Sequence, residues 1–126
     1  MAEIFVVFPP NDQPTVSHEI ERVPSGNRIS WDFVSCNPRV HYVIVEFDDP
    51  EAKFFNDNGT ETNRIWKQVK HGKAFVHGEV RYNGKKPPKV PVWGKYNVIG
   101  CERLVNDQPD GAIYELDPVI VTGDPG

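Results

Sequence analysis

Arg28-Ile29-Ser30-Trp31-Asp32-Phe33-Val34-Ser35-Cys36 is the stretch that decides the fold. Ile29, Trp31 and Phe33 recur at every second position, with Ser30 and Asp32 between them. A period of two lines up these side chains on one side of an extended strand, so one face of the strand is buried. Pro24-Ser25-Gly26-Asn27 makes a turn before it, and Asn37-Pro38 breaks it. The next run, 40–47, is apolar on both sides. Tyr42 and Ile44 fall on one face; Val43, Val45 and Phe47 fall on the other. That pattern predicts a central strand covered on both faces.

Working outward, residues 3–8 form a short β-rich run stopped by Pro9-Pro10, and 17–23 read as a weak, polar edge strand. A long connection, 48–63, turns at Asp57-Asn58-Gly59, and Phe54-Phe55 is expected to pin it to the core. Residues 64–69 and 73–82 are strands joined by a tight turn at His71-Gly72. A second connection, 84–91, leads into a long strand, 92–104. Its Gly94 and Gly100 mark a bulge or a close approach. A turn at 106–111 precedes the last strand, 112–121. About eight short strands with no convincing helix predict one domain over 1–126. It is an all-β, two-sheet antiparallel sandwich with Greek-key connections, of the immunoglobulin-like or a related kind.

Composition agrees. With 126 residues, 38% hydrophobic and 25% charged, the chain is somewhat polar but long enough to bury a core without disulfide staples. Twelve prolines and ten glycines favour turns over long helices. A formal charge of −4 provides no positive field to attract nucleic acid or anionic lipid. No run approaches the roughly 20 apolar residues of a membrane span. Two cysteines, Cys36 and Cys101, are too few for a disulfide scaffold. The N-terminal residues lack a basic region and a sustained apolar run, so the expectation is a cytoplasmic protein with reduced thiols.

Three segments resemble the cupredoxins, the copper-binding β-sandwiches. Gly26-Asn27-Arg28-Ile29-Ser30-Trp31 is similar to their G-x-x-V-x-W strand start. Asn37-Pro38-Arg39-Val40-His41 followed by Tyr42-Val43-Ile44-Val45 resembles the segment where a copper-binding His precedes an apolar strand. Gly94-Lys95-Tyr96-Asn97-Val98-Ile99-Gly100-Cys101 resembles the strand that delivers the Cys ligand. The resemblance covers most of the chain from residue 24 onward and implies a cupredoxin-like sandwich with His41 and Cys101 at the copper-ligand positions. A blue-copper centre needs two imidazoles and a thiolate, usually with a weak axial Met. After Cys101 come Glu102, Arg103, Leu104, Val105, Asn106 and Asp107; no His follows His77, and Met1 is the only methionine. The expectation is therefore a sandwich without an intact copper site and with no cofactor. A type 1 copper protein using His41 and Cys101 is the alternative.

Other motifs carry less. His71 and His77 match no zinc spacing and read as surface residues of a turn and a strand. Asp57-Asn58-Gly59-Thr60-Glu61 lacks the acidic spacing of a calcium loop and reads as a turn. Asp48, Asp49 and Glu51 read as solvated loop carboxylates. No G-x-S-x-G elbow, triad spacing or phosphate loop is present, so no residue is assigned to catalysis. The most distinctive surface segment is Lys85-Lys86-Pro87-Pro88-Lys89-Val90-Pro91, with Trp93 beside it. Pro-rich segments are pre-extended and dock in aromatic grooves, and a stiff solvated connector is the plain alternative. Lys85, Lys86, Pro88, Lys89, Pro91 and Trp93 are the expected contacts to a protein partner. The expected function is a non-catalytic binding module whose contact surface is 48–63 and 84–93. A small enzyme is a further alternative with no residues to name.

Overall fold

In the computed structural model the described residues are 2–18, 20–22, 28–47, 52–55, 59–82 and 92–122. They form twelve strands: β1 (Ala2–Phe8), β2 (Thr15–Val16), β3 (Ile20–Arg22), β4 (Arg28–Ser35), β5 (Tyr42–Phe47), β6 (Ala52–Phe55), β7 (Glu61–Thr62), β8 (Arg64–Gln68), β9 (Lys73–Tyr82), β10 (Val92–Val105), β11 (Gln108–Leu116) and β12 (Val119–Thr122). One sheet has the order β2-β1-β4-β9-β6-β7. The other has the order β3-β12-β10-β5-β8, with β11 also paired to β10. The protein is a two-sheet all-β sandwich. Most neighbours are antiparallel; β1 runs parallel to β4, and β3 parallel to β12. Consecutive strands lie in different sheets at β2–β3, β3–β4, β4–β5, β5–β6, β7–β8, β8–β9 and β9–β10, which produces the non-sequential order of Greek-key connections.

The alternation of β4 decides what lies between the sheets. Ile29, Trp31 and Phe33 are buried, facing Val43, Val45 and Phe47 of β5 and Tyr96 and Val98 of β10 in one cluster. Trp31 sits at its centre, with ring centroids 5.5 Å from Tyr96, 5.7 Å from Phe54 and 6.0 Å from Phe47. Its indole N–H donates to Tyr96 Oη at 3.3 Å, which satisfies a buried donor. Phe54 stacks on Phe47 at 5.2 Å, so it does pin the 48–63 segment to the core. β5 is covered on both faces as its sequence predicts. Ile44 faces away from the main core, in a second small cluster with Ile99 and Cys101 against Tyr42 and Leu104.

Three segment readings need correction. The 48–63 connection contains two strands, β6 and β7, that extend the first sheet beyond β9. The strand read at 17–23 shrinks to β3, Ile20–Arg22, which pairs with β12 in the second sheet, while a separate two-residue strand before it, β2, pairs with β1 in the first. The 112–121 strand is two strands, β11 and β12, separated by Asp117-Pro118. Pro118 has no N–H for a ladder, so β10 changes partner there, and Tyr96 N–H donates to the Pro118 carbonyl.

Candidate functional site

The turn between β4 and β5 forms one end of the sandwich. Asn37 closes it as an Asx turn: its Oδ1 accepts from Arg39 N at 3.0 Å, and its own N–H donates to Ser35 Oγ at 3.2 Å. Its Nδ2 is buried with no hydrogen-bond partner among the described residues. Ser35, Cys36, Asn37, Pro38, His41 and Gly72 help line an open depression of about 300 Å³ here, with Cys36 exposed.

His41 and Cys101 come together in the backbone but not in their side chains. His41 N–H donates to the Cys101 carbonyl at 2.9 Å. Tyr42 is the residue directly opposite Cys101, and alternation therefore sends His41 to the other side from the Cys101 thiol. His41 Nε2–H donates to the Pro38 carbonyl at 3.1 Å, and the ring is exposed. The Cys101 thiol is buried among Ile44 and Ile99, and that burial pushes its pKa up; a backbone hydrogen bond from Asp110 and the Arg64 charge oppose the shift. A copper site needs a thiolate and an imidazole converging with a third donor. Here the imidazole lies on the other side of the strand from the thiol, and no cluster of three or more His, Cys, Asp or Glu occurs among the described residues. His41 and Cys101 therefore do not converge on one side-chain site.

Beside His41, the Glu102 carboxylate accepts from Ala112 N at 3.1 Å and lies within 3.8 Å of Arg39 and 3.9 Å of Arg103. The backbone hydrogen bond, chiefly, holds this carboxyl below its usual pKa, with Arg39, Arg103 and His41 adding to it against a smaller desolvation effect. This arrangement ties β10 to β11 and leaves no open donor set.

The remaining sequence candidates separate. His71 sits in the β8–β9 turn with a left-handed backbone, φ 54°. His77 lies on the outer face of the first sheet, its ring 4.8 Å from Phe75 and its Nδ1 accepting from Arg28 Nη2 at 3.1 Å. Neither shares a face with Cys101. Lys85, Lys86, Pro88, Lys89 and Pro91 lie outside the described residues, as do Asp48, Asp49, Glu51, Asp57 and Asn58. Trp93 is placed only through its backbone, in β10 opposite Val121.

The feature that sequence reasoning missed is the outer face of the first sheet. Register places Phe5, Asp32 and Phe75 side by side across β1, β4 and β9, with Val7, Val34 and Lys73 as the adjacent row. All six point away from the core, because Ile4, Val6, Phe33 and Val76 take the inner positions. Phe5 is 52% exposed, Phe75 45%, Val34 41% and Val7 39%. They border a shallow open groove of about 490 Å³ that also reaches Asp32 and Lys73. The signal was present in Ile4-Phe5-Val6-Val7-Phe8, an unbroken apolar run that cannot turn all its residues inward.

No model of a known protein family matches the chain, and a search of curated proteins finds no relative.

Proposed function

We propose that the protein is a non-catalytic binding module on a cupredoxin-like sandwich without an intact copper site, and that it docks a protein partner through the outer face of its first sheet. The exposed block of Phe5, Val7, Val34 and Phe75 carries this reading. Single exposed apolar residues are ordinary, but four in two adjacent rows of one sheet make a contiguous patch, and such patches mark interaction sites. The cupredoxin-like part rests on the three sequence resemblances, carried by residues 26–31, 37–45 and 94–101.

A photo-cross-linking residue in place of Val7 tests the reading in expressing cells. It should give a discrete higher-mass adduct that disappears when Phe75→Glu is added. A position-86 cross-linker that gives the adduct while position 7 gives none would move the interface to the Lys-Pro segment and sink this assignment.

A further inference from the structure

We infer that Cys36 is a reversible modification site, shaped to take up one half of a small disulfide that carries carboxylates, of the glutathione type. The depression at the end of the sandwich carries the inference. The β4–β5 and β8–β9 turns form it, and backbone bonds hold them in place. Ser35 N–H donates to the Gly72 carbonyl, Cys36 N–H to the Phe8 carbonyl and Val69 N–H to the His41 carbonyl, each at 2.8 Å. Its volume of about 300 Å³ is at the lower end of the range for small-molecule sites. A free, exposed thiol, Cys36, stands in its wall.

An exposed thiol by itself names no ligand. Asn37 supplies the second observation. It lines the same depression and is only 4% exposed. Its Oδ1 accepts from Arg39 N–H, while its Nδ2 has no hydrogen-bond partner among the described residues. A buried amide donor left unpaired is costly, and an acceptor oxygen brought in next to Cys36 relieves that cost. The Ser35 hydroxyl cannot serve, because it already bonds the Asn37 backbone. Charge favours an anionic acceptor. The two turns, 36–41 and 69–73, carry Arg39, Lys70 and Lys73 with His41 and His71, and neither contains Asp or Glu. Carboxylates do stand on the elements around them: Asp12 beyond β1, Asp32 on β4 and Glu102 on β10. Asp12 bonds Gln13 N–H, Glu102 bonds Ala112 N–H, and none of the three lines the depression. The chemistry is thiol–disulfide exchange. The Cys36 thiol gives its proton to solvent, and the thiolate attacks one sulfur of the disulfide. The new bond joins Cys36 to that half, the old S–S bond breaks, and the other half leaves as a thiolate that takes up a proton. The incoming disulfide is the oxidant, and excess thiol reverses the step.

Three disulfides of different charge test this on the full chain at neutral pH: oxidised glutathione, the neutral 2-hydroxyethyl disulfide and the cationic cystamine. Each rate of adduct formation, followed by mass spectrometry, is divided by the rate of N-acetylcysteine with the same reagent. Glutathione should then exceed cystamine by about tenfold or more, as expected for an added hydrogen bond to a charged group. Peptide mapping should place the adduct on Cys36, dithiothreitol should remove it, and Cys36→Ser should not acquire it. Asn37→Asp keeps the acceptor for Arg39 N–H and replaces the free donor by a carboxylate; it should abolish the glutathione preference and leave the neutral reagent nearly unchanged. Lys70→Gln, an exchange at the rim, should reduce the same preference several-fold and serves alone if circular dichroism shows the Asn37 variant unfolded. Equal normalised rates for the three reagents, an adduct on Cys101 instead, or a preference that survives both Asn37→Asp and Lys70→Gln overturn the inference.

Discussion

At the scale of single residues the two thiols have opposite environments. Cys36 is exposed beside the Asn37 turn, and Cys101 is buried on the second sheet. Thiolate is the reactive form, and burial disfavours it, so the raised Cys101 pKa moves its ionisation to higher pH. With iodoacetamide near neutral pH, mass spectrometry should find Cys36 alkylated first and Cys101 protected, with Cys101 labelling rising only as the pH passes well above the ordinary thiol value of about 8.5. Equal labelling of both at pH 7 would contradict the burial. The same chemistry governs copper. Added Cu(II) should give no intense absorption in the red; a blue colour lost in both His41→Ala and Cys101→Ala would restore the copper alternative. Cys101 was legible in the sequence as a residue of the strand that resembles the copper-ligand strand, but its face was not. Which way a side chain points depends on register with β5, and register is a property of two strands.

At the scale of elements, the hairpin between β10 and β11 turns on two residues alone. Asn106 has φ 51° and Asp107 φ 62°, both left-handed, as a two-residue type I′ turn requires. Asn tolerates this region and Gly at the second position is preferred, so the Asn106-Asp107 pair is half optimised. Asp107→Gly should stabilise the protein by up to about 1 kcal/mol, the strain removed being offset in part by the greater freedom of glycine in the unfolded chain. Denaturant unfolding reads it, and a loss of stability would show that the Asp107 side chain matters more than its backbone. The turn was legible as a turn, though placed across 106–111; residues 108–111 continue β11 instead. They lack the apolar alternation that marks a strand, because β11 is an edge strand exposed at most positions. An edge strand is held by its ladder to β10, a non-local force that no window of sequence displays.

For the whole molecule, the two sheets meet closely where Gly100 of β10 faces Phe8 of β1. A Cβ added at Gly100 would lie 2.5 Å from Phe8 Cε1 and 2.8 Å from Phe8 Cζ. Phe8 has nowhere to go, being fully buried and stacked on Phe33 at 6.1 Å. Gly100→Ala should therefore cost about 1–3 kcal/mol through overpacking, without any strain from φ. A variant as stable as the wild type in urea would mean that the sheets separate more easily than this packing allows. The strand Gly100 was readable as a mark of close approach; that its neighbour comes from the first strand of the chain was not.

The sequence by itself determined the strands with one buried face. Ile29, Trp31 and Phe33 fall on one side of β4 because backbone geometry alternates side chains, and water drives that side inward whatever its partner. The double-sided pattern of 42–47 determined in the same way that β5 is central. Tertiary structure alone decided which strands pair, and so which surfaces exist. The pairing of β3 with β12, the recruitment of β6 and β7, and the block of Phe5, Val7, Val34 and Phe75 all depend on hydrogen bonds between segments far apart in the chain. A residue's exposure is set by what lies across from it, and that neighbour is chosen by register rather than by the residues on either side.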